Sequence, residues 1–189
     1  MVPPFYIVGY AIVSIDGMLA DSAGRIPDAL KIEADQRFFD AGLDAAALVV
    51  HGRHSGEEHA NSPRRRRLIL TRKIPAIAPD PNNPLARRWN PAGASFPDAC
   101  HALGVDAGTI AIIGATDVFG LFLAVGFDAF HLSRANKARL PGGRPVFPEV
   151  PARTPEDVLA GHGLKPGPRQ VLDAAADATL VTWTREAPA

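Results

Sequence analysis

The chain has 189 residues, 47% of them hydrophobic and 21% charged, the composition of one ordinary globular domain spanning residues 1–189. Its 20 basic residues balance 20 acidic ones, so no global field draws it to nucleic acid or to an anionic membrane, and recognition has to be local. A lone cysteine, Cys100, excludes an internal disulfide and any multi-cysteine zinc site, and with no basic leader and no long apolar run the sequence predicts a cytoplasmic protein.

Residues 5–15 are an almost continuous apolar run, the pattern of a strand covered on both faces, and Asp16-Gly17 ends it with turn chemistry. Ala20 leads into the small polar stretch 21–24, predicted as a mobile loop beside the first strand. Pro27 and Asp28 mark the start of a helix predicted over 29–41, with Leu30, Ala34, Phe38 and Ala41 on its core stripe and Gly42 closing it. At ~100° per residue, Asp35 falls between Ile32 and Phe39 on a partly apolar side, and Glu33 falls among Gln36, Arg37 and Asp40 on the polar face. Geometry therefore favours Asp35 at the edge of a pocket, although most helix acids are simply solvated.

Residues 45–50 read as the next buried strand, ending at His51-Gly52-Arg53-His54-Ser55, where Ser55 can cap a short helix and Arg53 can pair with a phosphate. His51, His54 and His59 read as solvated or phosphate-facing side chains rather than a metal cluster, because zinc ligands on a helix sit a full turn apart. The run Arg64 to Arg67 reads as a solvated, mutually repelling stretch before a strand at 68–70 that ends in Thr71-Arg72. Prolines 75, 79, 81, 84, 91 and 97 predict loop over 75–97 apart from a short strand near 87–89. Ser95 or Pro97-Asp98 then starts a helix through Leu103.

The apolar run Ile110 to Ile113 stops at Gly114-Ala115 and resumes at helical spacing through Val118, Phe119 and Phe122, so a buried strand passes through a tight turn into a helix over 116–123. Such joints bind phosphate in α/β proteins, since a glycine lets a backbone approach and the N–H groups of the helix start attract an anion. A strand at 127–133, an irregular proline-rich tail and an edge strand at 177–183 complete the chain. Strands alternating with helices predict a three-layer α/β fold, a mixed, mostly parallel central sheet with helices on both faces. Ligands in such folds gather at the carboxyl ends of the strands.

In this order the motifs resemble the dihydrofolate reductase-like superfamily and are most similar to the reductase domain of riboflavin biosynthesis. Ser14-Ile15-Asp16-Gly17 followed by Ala20 resembles the S-x-D-G-x-x-A opening of the riboflavin-type reductases, and Val49 to Ser55 resembles V-x-x-G-R-x-T. Leu70-Thr71-Arg72 resembles an L-S-R strand end, and Ile113 to Phe119 resembles I-G-G-x-x-[LV]-[FY] with Ala115 at the second glycine. Leu140 to Phe147 resembles the L-x-G-G-x-x-x-F close. The resemblance implies an NADPH-dependent reductase that moves hydride to a pyrimidine or pterin-like small molecule, of the 5-amino-6-(5-phosphoribosylamino)uracil reductase type. It also implies a homodimer, with no nucleic-acid or membrane partner and no metal. Cofactor contacts are implied at Ala20, Gly52, Arg53, His54, Ser55, Thr71 and Arg72, and along Gly114, Ala115, Thr116, Asp117, Val118 and Phe119. Arg53 and Arg72 would favour the 2′-phosphate, the loop from Ala20 to Gly24 would cover the nicotinamide, and Asp16 and Ser133 would touch substrate. The catalytic acid is Glu33 if counted from Pro27 and Asp35 if counted back from Phe39. Two alternatives stand beside this reading: dihydrofolate reductase itself, and a degenerate, non-catalytic nucleotide-binding protein, motivated by Ala115 and Ala129.

Overall fold

In the computed structural model, which describes residues 4–56 and 59–186, the first apolar run forms strand β1 (Phe5–Ser14) in the interior of a nine-stranded sheet. Its side chains alternate between two apolar layers, Ile7, Ala11 and Val13 on one face and Val8 and Tyr10 on the other. Gly9 lies between them because the Phe130 ring leaves no room; a Cβ there would come within 2.2 Å of Phe130 Cδ2.

The chain continues as β2 (Met18–Ala20), α1 (Glu33–Ala45), β3 (Leu48–Gly52), β4 (Arg67–Leu70), β5 (Ile77–Asp80) and β6 (Asn83–Trp89). Then follow α2 (Phe96–His101), β7 (Gly108–Ile112), α3 (Thr116–Val125), β8 (Ala129–Ala135), β9 (Arg144–Pro145), α4 (Pro155–Gly161), β10 (Leu164–Asp173) and β11 (Ala178–Arg185). The sheet order is β10-β11-β8-β1-β7-β3-β4-β6-β5. From β8 to β6 every pair is parallel, so those strands share one carboxyl-end rim, while β11 and β10 join antiparallel on one side and β5 on the other. The short strands β2 and β9 pair separately. Phe96 of α2 and Phe119 and Phe122 of α3 pack into one face, and Phe38, Phe39 and Leu43 of α1 into the other. Sheet order and two-sided packing agree with the expected mostly parallel three-layer α/β architecture. Among the described residues, no helix is long and apolar enough to cross a membrane.

Several expected boundaries differ, each for a visible reason. The helix expected over 29–41 is divided: Asp28–Leu30 make a 3-10 turn, Ile32 is extended, and α1 begins at Glu33. Gly42 lies inside α1 instead of ending it, because Tyr10 occupies the space a side chain would need; a Cβ at Gly42 would be 2.5 Å from Tyr10 Oη. The strand expected from 45 starts at Leu48. The stretch 21–24 is an ordered turn, closed by the Gly24 N–H on the Asp21 carbonyl at 2.9 Å. The arginine run is not uniformly solvated. Arg65 and Arg67 are buried, with Arg65 Nη2 donating to Asp44 Oδ1 at 2.6 Å and Arg67 Nη2 to Ser62 Oγ at 2.7 Å. The region 75–97 holds the β5–β6 hairpin, in which Pro79 lies on the outer strand β5 and Pro84 near the start of β6, before its pairing with β4 begins at Ala86. The tail contains α4, capped by Thr154 Oγ1 accepting the Asp157 N–H at 3.1 Å, and β10. β11 is therefore internal, and the edge is β10, which carries Pro166 and Pro168.

Candidate functional site

At the rim, β3, β4 and β7 lie side by side and each stops in a turn. The Gly52 N–H donates to the Gly114 carbonyl at 2.9 Å, fastening the turn after β3 to the turn after β7. Gly114 has φ of 102°, a region that favours glycine, and its peptide bond to Ala115 is cis. Ala115 caps α3, its carbonyl accepting the Val118 and Phe119 N–H groups, both at 3.0 Å. The N–H groups of Thr116 and Asp117 come before any helical acceptor is available and carry the positive end of the helix dipole. A Cβ at Gly52 would meet Ser55 Oγ at 3.6 Å and Ala115 N at 3.8 Å, so these residues meet where the two turns join. Arg53, His54 and Arg72 are exposed and make no ion pair among the described residues. Free helix-start N–H groups, and cations with no ion pair among the described residues, beside a glycine turn suit a diphosphate carrying an extra phosphate. Asp117, exposed in the same turn, stabilises the helix start and opposes an anion there.

Across β1, on the opposite face, α1 lies along β8. Ile32 packs with Ala135 and Ala138, the Asp35 carboxyl lies beside the Ser133 hydroxyl, and the Phe38 ring meets His131 edge-on at 5.0 Å. Helix and strand therefore run antiparallel, about one helical turn to every two strand residues. Ser133 is buried and Asp35 half-buried. Burial raises the Asp35 carboxyl above the ordinary carboxylate range, and the neighbouring Ser133 hydroxyl, which favours the charged form, offsets part of that. Glu33 is exposed, forms an ion pair with Arg37, and borders a groove of about 350 Å³ lined also by Ile32, Ala135, Lys137 and Ala138. Of the two acids that motif counting left open, Asp35 has the hydroxyl partner and Glu33 a solvated one.

Deeper in the same seam the rings close up. Tyr10 lies 4.8 Å from His131, 6.1 Å from Phe38 and 6.2 Å from Phe39, centroid to centroid. His131 Nδ1 is 2.9 Å from Thr182 Oγ1, and burial pushes the imidazole down to about 4, so it is neutral at pH 7. Motif matching marked neither Tyr10 nor His131. The available signal was alternation in β8, which sets His131 on the same face as Ser133, two residues earlier.

The other expected site residues have bonds or packing partners within the protein. Asp16 accepts from the Ser14 hydroxyl and, at 3.0 and 3.1 Å, from the Leu140 N–H. Partial burial works against its charge, but these bonds and nearby Arg139 hold its carboxyl below the ordinary range, so it ties the strand end to the Leu140 loop. Val118 and Phe119 put their side chains into the core, Phe119 against Phe130 and Phe147 at 5.3 and 6.0 Å, and their N–H groups are already bonded. The Thr116 hydroxyl donates to the Pro145 carbonyl, and the buried Thr71 hydroxyl accepts the Lys73 N–H at 3.2 Å. Ala20 is buried in β2, paired with Arg144. Ser55 starts no helix among the described residues; its N–H turns back to the Gly52 carbonyl at 3.2 Å, and residues 57–58 lie outside them. His51 is buried, its Nδ1 2.7 Å from the Gly52 carbonyl, and not solvated as expected. Among the described residues no cluster of three metal-ligating side chains occurs.

No protein-family profile and no curated protein matches the sequence. Solved structures do match. A putative riboflavin biosynthesis protein from Shewanella sp. PV-4 superposes with a TM-score of 0.65 at 17% identity, over 96% of this chain and 99% of the other. Dihydrofolate reductase from Enterococcus faecalis, in complex with NADP(H) and RAB-propyl, superposes with a TM-score of 0.64 at 16% identity, over 96% and 97%. The chain has the dihydrofolate reductase-like fold. A diaminohydroxyphosphoribosylaminopyrimidine deaminase/5-amino-6-(5-phosphoribosylamino)uracil reductase from Thermotoga maritima shares this fold at a TM-score of 0.58 and 16% identity, over 95% of this chain and 56% of that one. In this dihydrofolate reductase-like fold, the Gly52–Gly114 turns and the Asp35 end of the seam lie toward one rim, either side of β1.

Proposed function

We propose that the protein is an NADPH-dependent reductase of the riboflavin-biosynthesis type, transferring hydride to a pyrimidine of the 5-amino-6-(5-phosphoribosylamino)uracil class. The observation that supports this reading is the shared rim: a glycine turn at the start of α3 on one side of β1 and a half-buried acid beside a hydroxyl on the other. When bound, NADPH supplies the hydride. Gly52, Ser55 and the first turn of α3 hold its diphosphate, and Arg53 and Arg72 favour the extra 2′-phosphate. Asp35 orients the heterocycle. Because burial keeps its carboxyl protonated to higher pH than usual, Oδ can donate to a ring nitrogen.

Titration with NADPH, followed by nicotinamide fluorescence with NADH as control, tests the reading. Micromolar binding that prefers NADPH is expected, and Arg72→Ala should weaken NADPH much more than NADH. Equal effects on both coenzymes would remove the 2′-phosphate assignment, and binding of neither would favour the non-catalytic alternative. Dihydrofolate reductase itself is a second reading, supported by the match to the E. faecalis enzyme along nearly its whole length and by the Asp35–Ser133 pair. Robust turnover of dihydrofolate, abolished by Asp35→Asn, would put it first.

A further inference from the structure

The end of the sheet away from the Gly52–Gly114 turns carries a second concentration of charge. Entering β4 the chain is extended, so Arg65 and Arg67 turn inward and are buried, and Arg64 and Arg66 stay exposed. Arg64, Arg65 and Arg66 border a groove of about 570 Å³, part of whose apolar lining comes from Ala47 and Leu85. Ala47 lies just before β3 and Arg66 just before β4, and Leu85 precedes the Arg67–Ala86 register pair. The groove therefore sits at the amino ends of these strands, the length of β3, about 13 Å, away from Gly52. Asp44 is the one acid among its described lining residues, and both its oxygens are engaged. Its Oδ1 accepts from Arg65 Nη2 at 2.6 Å and Nε at 3.0 Å, and its Oδ2 from Asn61 Nδ2 at 2.9 Å. Arg65 is thereby neutralised, whereas Arg64 and Arg66 make no ion pair among the described residues. Two guanidinium groups are left over in one groove, on a chain whose net charge is zero.

We propose that this groove is a second ligand site that binds a nucleoside diphosphate, apart from the reductase rim. A guanidinium fork pairs bidentately with one phosphate, so Arg64 and Arg66, two residues apart, suit two linked phosphates. Leu85, 39% exposed, and Ala47 offer an apolar surface to the body that carries those phosphates. The volume falls within the ~300–1,000 Å³ of small-molecule clefts, which combine apolar lining with a few charged groups in this way. The inference does not depend on the reductase reading, because the groove and the Gly52–Gly114 turns lie at opposite ends of β3 and share no residue.

Calorimetric titration of the full chain with ADP and with inorganic pyrophosphate, both free of metal ions, tests the site. Arg53→Ala/Arg72→Ala serves as the background, to weaken any binding of ADP at the reductase rim. ADP should bind this background saturably and at least fivefold more tightly than pyrophosphate, which carries at least as much charge but no apolar body. Adding Arg64→Ala/Arg66→Ala, which replaces two exposed side chains, should weaken ADP at least tenfold. In the otherwise native chain the same pair should leave NADPH binding unchanged. No saturable binding of ADP, or an affinity that Arg64→Ala/Arg66→Ala does not alter, overturns the site. Pyrophosphate bound as tightly as ADP overturns the nucleotide as its ligand, and a parallel loss of NADPH overturns its separation from the rim. A chain that binds ADP through Arg64 and Arg66 but never binds NADPH sinks the reductase reading and leaves this site standing.

Discussion

Asp35 and His131 share one seam yet titrate in opposite senses. Burial raises the Asp35 carboxyl, so between its ordinary value of 3.8 and its folded value the native state binds more protons than the unfolded chain, and stability falls as pH rises through that window. His131 is pushed down from 6.5 to about 4, so below 6.5 the unfolded chain takes up a proton that the native state refuses, and stability falls as pH falls toward 4. Asp35→Asn should therefore melt at a higher temperature than the wild type at pH 7, with the gap shrinking as pH falls from the raised folded value toward 3.8. A gap that stays constant with pH would mean that the Asp35 charge is not desolvated. The half-buried placement of Asp35 beside exposed Glu33 was legible in the sequence because angular position on a helix depends only on counting residues. Tyr10 and His131 were not, because their contact depends on β1 lying beside β8, a neighbour relation that no local pattern carries.

Among the elements, α1 shows where local rules yield to packing. Propensity alone would let Gly42→Ala gain up to about 1 kcal/mol, but a methyl 2.5 Å from Tyr10 Oη overpacks the helix–sheet contact. The expected net result is a loss of about 1–2 kcal/mol, read as a lower denaturant midpoint at unchanged slope. A raised midpoint would show that Tyr10 moves aside freely. The same competition explains the other boundaries. Strands β1, β7 and β8 were legible because both their faces are buried and apolar, whereas the outer strands β5 and β10 hide behind prolines that an outer strand accepts and an inner one does not, and only the end of β6, near 87–89, showed. The buried Arg65 and Arg67 were misread because a run of four like charges says nothing of the Asp44 and Ser62 that meet two of them.

At the scale of the molecule, stability should be graded across the sheet. The parallel strands β8, β1, β7 and β3 are enclosed by helices and neighbours, and β10 is open along most of its length. Amide hydrogen exchange should be slowest in β1 and β7 and faster in β10 and in the β2–β9 pair. Equal protection in β10 and β1 would point to a covering partner. β10 has a further consequence for molecules at high concentration. An outer strand normally offers unpaired N–H and C=O groups that can template stacking of one sheet on the next, the first step of aggregation. Here Pro166 and Pro168 have no N–H to offer, the pairing of β10 with β11 is already out of step beside them, and β5 on the far margin carries Pro79. Both margins are blunted against sheet-to-sheet polymerisation, so the homodimer that the resemblance implies would have to be built from a face of the molecule and not by zipping two margins together.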